Sequence, residues 1–239
     1  MPRAGAMTTD RVAGLVPAAG SGDRLGRGPK AFVELAGMPM LAWTVAALAP
    51  WVDELAVAVA EPDLPRARAL LAPWSARVDL RLIVGGSTRQ ETVRHLLEAV
   101  EAEVVVVHDA ARPFLDGATV RAVIAAALAH GACSVGQPLA DSLVRVADGG
   151  PVDRASLRAV QTPQAFRRGV LALAHAVAAR DEATATDDAG LVWRMGHPVA
   201  WVDGGGHLFK VTTASDLAVA EAVVAAGAFG VSAPRIGGA

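Results

Sequence analysis

Short apolar segments alternate with longer helix-like segments along most of this chain, and this alternation constrains the fold more than any other feature. Three of the short segments are VAGLV at 12–16, ELAVAVA at 54–60 and EVVVVH at 103–108. A Val-rich run of this kind suits a strand that is buried on both faces of a sheet. Strands that alternate with helices form a mainly parallel sheet with helices on both faces. The sequence therefore predicts an α/β fold.

The turn after the first predicted strand, LVPAAGSGDRLGRGPK at 15–30, has the composition of an anion-binding loop. Small residues allow a ligand to approach the backbone, and consecutive free N–H groups form a concavity that favours anions. Three cations follow: Arg24, Arg27 and Lys30. The Walker pattern is absent, and Leu25 stands where the dinucleotide fingerprint needs glycine. We interpret the segment as a loop that binds a nucleotide triphosphate; a structural strand-to-helix turn is the alternative.

Lysine is rare in this sequence. Of 22 basic residues, only Lys30 and Lys210 are lysines. An ammonium is a compact point charge, whereas a guanidinium is a planar fork, so arginine cannot replace lysine at every site. We therefore expect both lysines to contact tightly packed oxygen atoms; chance retention at two surface positions is the alternative.

A second candidate site lies at 85–92, where Gly85, Gly86 and Ser87 end a predicted strand and open a helix. Open parallel sheets bind ligands at such carboxyl ends. Backbone groups of this turn can contact a base edge, with Thr92 one helical turn further on. The spacing of Ser87 and Gln90 also matches a capping box, so a capped helix is the alternative.

A third candidate site follows the valine run at HDAARP. Asp109 can bind Mg²⁺ or a ribose hydroxyl, and Arg112 can bind a phosphate through two hydrogen bonds. A structural Asp–Arg pair is the alternative. Asp187 and Asp188 are interpreted as helix caps, and the six histidines show no metal-ligand spacing.

The pattern changes between Ala140 and Val160, where two extended segments flank the turn ADGG. This stretch has little apolar surface, and an isolated hairpin is marginal in water. It predicts an arm that packs on another subunit; an ordinary surface hairpin is the alternative. A helix is predicted over 164–179. We expect one domain over 10–228, with the arm at about 140–160 inserted and a flexible tail at 229–239.

Composition excludes several classes of protein. The net charge of -2 gives no basic field for nucleic acid or a membrane surface. Cys133 is the only cysteine, so no disulfide framework is possible. No apolar run reaches membrane-spanning length, and the N-terminal segment lacks the apolar core of a signal peptide. A cytoplasmic protein is expected.

Six motifs occur in the order seen in one enzyme family. They are VPAAGSGDRLGRGPKAF, VGGSTRQETV, VVVHDAARPF, AVQTPQAF, TDDAGLV and FKVTTASDLAVAE. From about Val12 to Glu221 the chain resembles the 2-C-methyl-D-erythritol 4-phosphate cytidylyltransferases. The resemblance implies a Rossmann-like nucleotidyltransferase fold with a protruding β-arm and a homodimer formed through that arm. It also implies transfer of a cytidylyl group from CTP to the polyol phosphate, with Mg²⁺ and release of pyrophosphate.

The resemblance also assigns site residues. Arg24 and Lys30 resemble the groups that stabilise the transition state, and Arg154 and Lys210 those that position the incoming phosphate. Arg112 and Ser142 resemble further substrate contacts. Asp109 resembles the acid on the ribose or metal side. The remaining positions resemble those that contact the nucleotide: Ala18, Ala19, Gly20, Gly86, Ser87 and Thr92.

The chain departs from the family pattern at four positions. Ser142 replaces threonine, Val144 a lysine, Leu208 an asparagine and Thr92 a serine. Each departure concerns one contact and not the reaction. Two other functions are compatible with the sequence: a cytidylyltransferase for ribitol 5-phosphate, and a non-catalytic nucleotide-binding domain.

Overall fold

The structure, a computed structural model, describes residues 10–20 and 28–230. The strands of the described residues are β1 (Val12–Pro17), β2 (Glu34–Leu35), β3 (Met38–Pro39), β4 (Glu54–Val59), β5 (Asp79–Val84), β6 (Val104–Val107), β7 (Ala132–Pro138), β8 (Leu143–Val144), β9 (Pro151–Val152), β10 (Arg158–Arg167) and β11 (Ala200–Asp203). The α-helices are α1 (Met40–Leu48), α2 (Leu64–Leu71), α3 (Arg89–Glu98), α4 (Gly117–His130), α5 (Arg168–Arg180), α6 (Asp188–Arg194) and α7 (Ala214–Ala225). Within these ranges no helix is both long and apolar enough to cross a membrane.

Seven of the described strands form one sheet, in the order β11-β7-β10-β6-β1-β4-β5. Six of them run in one direction, and β10 runs antiparallel to both of its neighbours. This arrangement confirms the predicted mainly parallel α/β fold. The chain goes from β1 to β4 and β5 on one side, and then returns to β6 on the other side of β1. Such a reversal of strand order opens a crevice at the carboxyl ends of β1 and β6.

The valine run of β6 shows why the sheet has helices on both faces. All four of its valines are buried. Val104 and Val106 lie in one apolar cluster, and Val105 and Val107 lie in the cluster on the opposite face. Successive side chains of a strand point to opposite faces, so an uninterrupted apolar run requires cover on both sides.

The helix predicted over 164–179 is wrong at its start. Residues 164–167 belong to β10, and α5 begins only at Arg168. The sequence QTPQAF resembles a polar loop that leads into a helix, yet Gln164 is fully buried. Its amide donates to Ser134 Oγ at 3.0 Å and accepts from the backbone of Asp188, so long-range partners satisfy these polar groups within the sheet.

The predicted arm is shorter than the sequence suggested. β8 and β9 pair with each other as a separate two-stranded sheet. Residues 158–160 instead pair with β7 in the main sheet. Most residues from 140 to 157 are exposed, and Val146 is completely so. The division into one domain with an inserted arm stays a prediction, and 231–239 of the predicted tail lie outside the described residues.

Candidate active site

A cavity of about 410 Å³ lies at the crevice at the carboxyl ends of β1 and β6. Three turns form most of its wall, after β1, after β5 and after β6, and the segment before α7 closes it. Its lining residues are Pro17, Ala18, Ala19, Gly20, Lys30, Ala31, Gly86, Ser87, Thr88, Arg89, Thr92, Asp109, Ala110, Ala111, Lys210 and Thr212. The cavity thus brings together nine residues that the sequence proposed as a site: Ala18, Ala19, Gly20, Lys30, Gly86, Ser87, Thr92, Asp109 and Lys210.

The turns after β1 and β5 pack closely against each other. The backbone N–H of Ala18 donates to Ala58 at 2.8 Å, which continues the sheet beyond Pro17. A side chain at Gly85 would place its Cβ 2.4 Å from the Cβ of Ala19. Glycine is therefore required at 85 for the turns to approach. The small residues of both turns expose backbone to the cavity, as an anion or base site requires.

Lys30 reaches the cavity from the first residue of a 3₁₀ turn, Lys30–Phe32. Gly28 precedes it with φ of +80°, a conformation that glycine adopts without strain. Phe32 is buried, and the guanidinium of Arg66 lies 4.4 Å from its ring centre. This packing anchors the turn and directs Lys30 to the cavity. Arg24 and Arg27, the other two cations of this loop, lie outside the described residues.

The capping box predicted for Ser87 and Gln90 is wrong, because α3 begins one residue later. Thr88 is the N-cap, and its hydroxyl accepts from the N–H of Glu91 at 3.1 Å. The Ser87 N–H and hydroxyl both donate to Glu91 Oε2 at 2.7 Å. Gln90 instead bonds the backbone of Ala183 and Ala185. The turn is thus fixed by hydrogen bonds of its own and presents Ser87 and Thr88 to the cavity.

The hydroxyl of Thr92 lies among the backbone groups of this turn. It accepts from the N–H of Gly86 at 3.0 Å and donates to the carbonyl of Thr88 at 2.8 Å. A hydroxyl has one proton to donate, so Thr92 can offer an incoming base only its remaining lone pair. Its evident contribution is to the shape of the turn.

Asp109 pairs with two cations at the carboxyl end of β6. Its Oδ1 accepts from Arg89 Nε at 3.1 Å, and its Oδ2 accepts from Lys210 Nζ at 2.7 Å. Burial raises the pKa of Asp109, but the charges of Arg89 and Lys210 outweigh burial and hold the pKa well below its usual range. Asp109 is therefore ionised at any pH near neutrality and orients Lys210 at the rim.

Arg89 is a cavity residue that the sequence analysis missed. Its Nη1 donates to Asp188 Oδ2 at 2.8 Å, so one guanidinium joins two buried carboxylates. Of the two predicted caps, Asp187 does cap α6, through Gly190 at 2.7 Å. Asp188 is fully buried and pairs with Arg89 and, at 3.5 Å, with His175. The available signal was the position of Arg89 two residues after Ser87, at the start of the helix that follows the Gly-Gly-Ser turn.

Three residues proposed from the resemblance do not line this cavity within the described chain. Arg112 Nη1 donates to the carbonyl of Leu208 at 2.6 Å, and burial lowers the pKa of its guanidinium. Ser142 and Arg154 lie on the exposed arm, where Arg154 donates to the carbonyl of Ala140. Their proposed substrate contacts stay predictions.

The described residues do not form a metal cage. No group of three or more His, Cys, Asp or Glu among them could hold a metal ion. Asp109 is the carboxylate that lines the described cavity, and each of its oxygens already accepts from a cation. Mg²⁺ prefers one or two carboxylates together with substrate phosphates. The site therefore fits a divalent cation only if phosphate oxygens provide most of its ligands.

Fold and site together define a class: an α/β enzyme of the nucleotidyltransferase type, with a cationic cavity at the carboxyl ends of its parallel strands. Within that class, the chain belongs to the family described as IspD, 2-C-methyl-D-erythritol 4-phosphate cytidylyltransferase. The family's profile matches residues 12–226.

Individual relatives agree with this family. A protein of Deinococcus radiodurans named 2-C-methyl-D-erythritol 4-phosphate cytidylyltransferase is 54% identical over 220 residues, which is 90% of each chain. The crystal structure of the enzyme of that name from Thermus thermophilus superposes with a TM-score of 0.77 at 38% identity, covering 89% of this chain and 98% of the other. A 4-diphosphocytidyl-2C-methyl-D-erythritol synthase from Anaerococcus prevotii has a TM-score of 0.80 at 23% identity, covering 90% and 99%, and supports the fold alone.

Proposed function

We propose that this chain couples CTP and 2-C-methyl-D-erythritol 4-phosphate to give 4-diphosphocytidyl-2-C-methyl-D-erythritol and pyrophosphate. The observation that carries the proposal is that Lys30, Asp109 and Lys210, from three separate parts of the chain, line one cavity. Membership of the family supports the choice of substrates. The family match and the names of the relatives do not favour the two alternatives, a ribitol 5-phosphate acceptor and a non-catalytic domain.

The chemistry requires no side-chain nucleophile. An oxygen of the acceptor phosphate attacks the α-phosphorus of CTP in line, a new P–O bond forms, and the bond from the α-phosphorus to the bridging oxygen breaks. The leaving group is pyrophosphate. Because the attacking oxygen is already anionic, catalysis consists of positioning and charge stabilisation. Lys30, with Arg24, stabilises the charge at the α-phosphoryl oxygens.

The other cavity residues bind and orient. We assign the base to the backbone of Ala18, Ala19, Gly86 and Ser87, and the ribose to Gly20 and Asp109. Lys210 holds the acceptor phosphate, and Asp109 fixes its ammonium at 2.7 Å. Mg²⁺ is proposed as a companion of the triphosphate, held mainly by phosphate oxygens. When bound it neutralises triphosphate charge.

The arm is proposed to complete the cavity of a second subunit. Arg154 and Ser142 lie outside the described cavity of their own chain, and Val144 and Val146 are exposed on the arm. A homodimer in which each arm delivers Arg154 to its partner accounts for both facts. A cytoplasmic location is proposed as well, and the free, buried Cys133 suits a reducing compartment.

The test is release of pyrophosphate from CTP by the purified full chain. Release should require both Mg²⁺ and 2-C-methyl-D-erythritol 4-phosphate, and should be much slower with ribitol 5-phosphate. Faster turnover of ribitol 5-phosphate would instead assign the chain to that acceptor. Binding of CTP without release in the presence of either acceptor would support the non-catalytic alternative.

A further inference from the structure

A line of alternating charges runs from the interior of the protein to the cavity. Asp188 pairs with Arg89 at 2.8 Å, Arg89 pairs with Asp109 at 3.1 Å, and Asp109 pairs with Lys210 at 2.7 Å. Beside the inner end of this line, His175 Nε2 lies 3.5 Å from Asp188. The side chain of Asp188 is 1% exposed, whereas that of Lys210 is 38% exposed. The line thus connects a buried carboxylate on α6 to an ammonium that faces the ligand space.

Asp188 is held rigidly at the inner end of this line. The amide oxygen of Gln164 accepts from the N–H groups of Asp188 and Ala189, both at 3.1 Å. Gln164 is itself fixed by Ser134 in the sheet. Neighbours on the same helix, Leu191 and Val192, lie in the apolar core. A carboxylate in such surroundings is fixed in place by the packing of α6 against the sheet.

Buried ion pairs are poor sources of stability. Removing two ions from water carries a large penalty, and well-packed apolar residues often replace a buried pair without loss. Asp188 Oδ1 and Arg89 Nη2 are also buried without hydrogen-bond partners. Stability alone therefore does not explain this arrangement. The geometry here fixes the guanidinium of Arg89 between two carboxylates.

The guanidinium of Arg89 forms hydrogen bonds with side chains of the protein rather than pointing free nitrogens into the cavity. Its Nε donates to Asp109 and its Nη1 to Asp188. Its Nη2 is shielded from solvent. Although Arg89 lines the cavity wall, the nitrogens that would bind a phosphate are therefore occupied or enclosed. It acts on the ligand through Asp109.

We propose that Asp188 and Arg89 are positioning residues, which fix Asp109 and through it set the place of the Lys210 ammonium at the cavity. The consequence for turnover rests on the proposed function, in which Lys210 holds the acceptor phosphate. With Asp188 neutral, Arg89 loses one of its two anchors and Asp109 loses its fixed partner. Lys210 then occupies several positions, and the acceptor phosphate binds more weakly.

The direct test uses the two lysines of the chain as probes. Reductive methylation of the folded protein with isotope-labelled formaldehyde gives one dimethyl-lysine NMR signal each for Lys30 and Lys210, assigned with Lys30→Arg and Lys210→Arg. Asp188→Asn should shift the Lys210 signal and leave the Lys30 signal in place. Asp187→Asn is the matched control: it changes the adjacent residue, keeps a good N-cap, and should move neither signal. Loss of packing alone would move both signals or neither.

Kinetics provide the second measurement. Asp188→Asn should raise the KM for the acceptor phosphate about tenfold and change the Kd for CTP less than threefold, a coupling typical of residues in one charge network. Because Asp188 acts through Arg89, the double variant Arg89→Gln/Asp188→Asn should be no worse than Arg89→Gln alone.

Each result decides the matter. An unchanged Lys210 signal in both Asp188→Asn and Arg89→Gln would overturn the proposal, as would additive losses in the double variant. If Asp188→Asn does not fold, Arg89→Gln breaks the same link from the other side and is read in the same way. The NMR measurement needs no turnover. A wild-type protein that releases no pyrophosphate would therefore count against the proposed function and not against the positioning role.

Discussion

Lys210 Nζ donates to Asp109 Oδ2 at 2.7 Å, across 101 residues of sequence. Asp109 follows the buried strand β6, whereas Lys210 lies in the segment between β11 and α7. Both residues of the pair line the cavity, together with the small-residue turn after β1. Lys210 therefore contacts a carboxylate oxygen, in agreement with the expectation that each rare lysine meets closely packed oxygens.

Removing either of the two cations that we propose to stabilise the transition state, Arg24 or Lys30, should reduce turnover. We expect Lys30→Ala and Arg24→Ala each to lower kcat by about 10² or more, on the scale of a lost oxyanion donor. Lys30→Arg should recover little of the loss, because a planar guanidinium does not reproduce a compact ammonium. Steady-state kinetics measure the effect. Arg121→Ala is the control, since Arg121 stacks on Trp51 away from the cavity; near-normal kcat in Lys30→Ala would contradict the assignment.

Mixed dimers test whether Arg154 serves the partner's cavity. Arg154→Ala and Lys30→Ala subunits should each be inactive alone. A heterodimer of the two retains one cavity with both groups intact, so mixing under conditions of subunit exchange should restore part of the activity. As the control, either single variant is mixed with the double variant Lys30→Ala/Arg154→Ala. No cavity in these heterodimers has both groups, so no activity should be restored. Inactive heterodimers, with exchange verified by mass, would argue against a shared site.

The hydroxyl of Thr92 should matter more than its methyl group. Thr92→Val keeps the shape of the side chain but leaves the N–H of Gly86 without its partner. The carbonyl of Thr88 loses the hydroxyl and keeps the backbone N–H of residue 92. Leaving a buried polar group without its hydrogen bond reduces the free energy of unfolding by about 1–3 kcal/mol. We expect the KM for CTP to rise about tenfold in this variant. Thr92→Ser keeps the hydroxyl, so its KM for CTP should stay close to that of the wild type. Equal changes of the KM in the two variants would show that the packing of the methyl group matters and not the hydroxyl.

Acid should destabilise the protein through His108. Its Nε2 lies 2.9 Å from the carbonyl of Arg112 and must carry the proton, while Nδ1 accepts from the hydroxyl of Thr162. Burial lowers the pKa of His108 to about 4, from an ordinary 6.5. Between these values only the unfolded state takes up the proton, so the free energy of unfolding falls as pH decreases, by roughly 3 kcal/mol in total.

Denaturant titrations from pH 7 to pH 4.5 measure this loss, at about 1.4 kcal/mol per pH unit where it is steepest. His108→Gln should flatten the pH dependence in this range, whatever its effect on stability at pH 7. An equally steep dependence in the variant would assign the proton uptake to another group.

The sheet could be predicted from sequence because its information is local. Valines in a run indicate a strand buried on both faces, and the order of strands and helices leaves few topologies. β10 could not be predicted, since buried Gln161 and Gln164 resemble loop residues until their partners are known. Gln161 donates to Gln137 at 2.8 Å, and Gln164 to Ser134 at 3.0 Å. Both partners lie on the neighbouring strand β7.

The candidate site was predicted only in part, because only some of its features are encoded by residues close together in sequence. Small residues and lysines identified the turns, because a ligand that must approach a backbone leaves a local pattern. The link between Arg89 and Asp188 leaves no local sequence pattern. The two residues are 99 positions apart, and each stands at the start of an ordinary helix. Only the tertiary fold brings the start of α6 to the start of α3, where Asp188 is a buried carboxylate that holds a cavity residue.

Pyrophosphate release from CTP is the reaction that decides whether this cavity transfers a cytidylyl group. With 2-C-methyl-D-erythritol 4-phosphate and Mg²⁺, the full chain should release one pyrophosphate for each 4-diphosphocytidyl-2-C-methyl-D-erythritol formed, and Lys30→Ala should abolish most of that release. Absence of release by the folded wild-type protein, or release that proceeds equally well without the acceptor phosphate, would contradict the account.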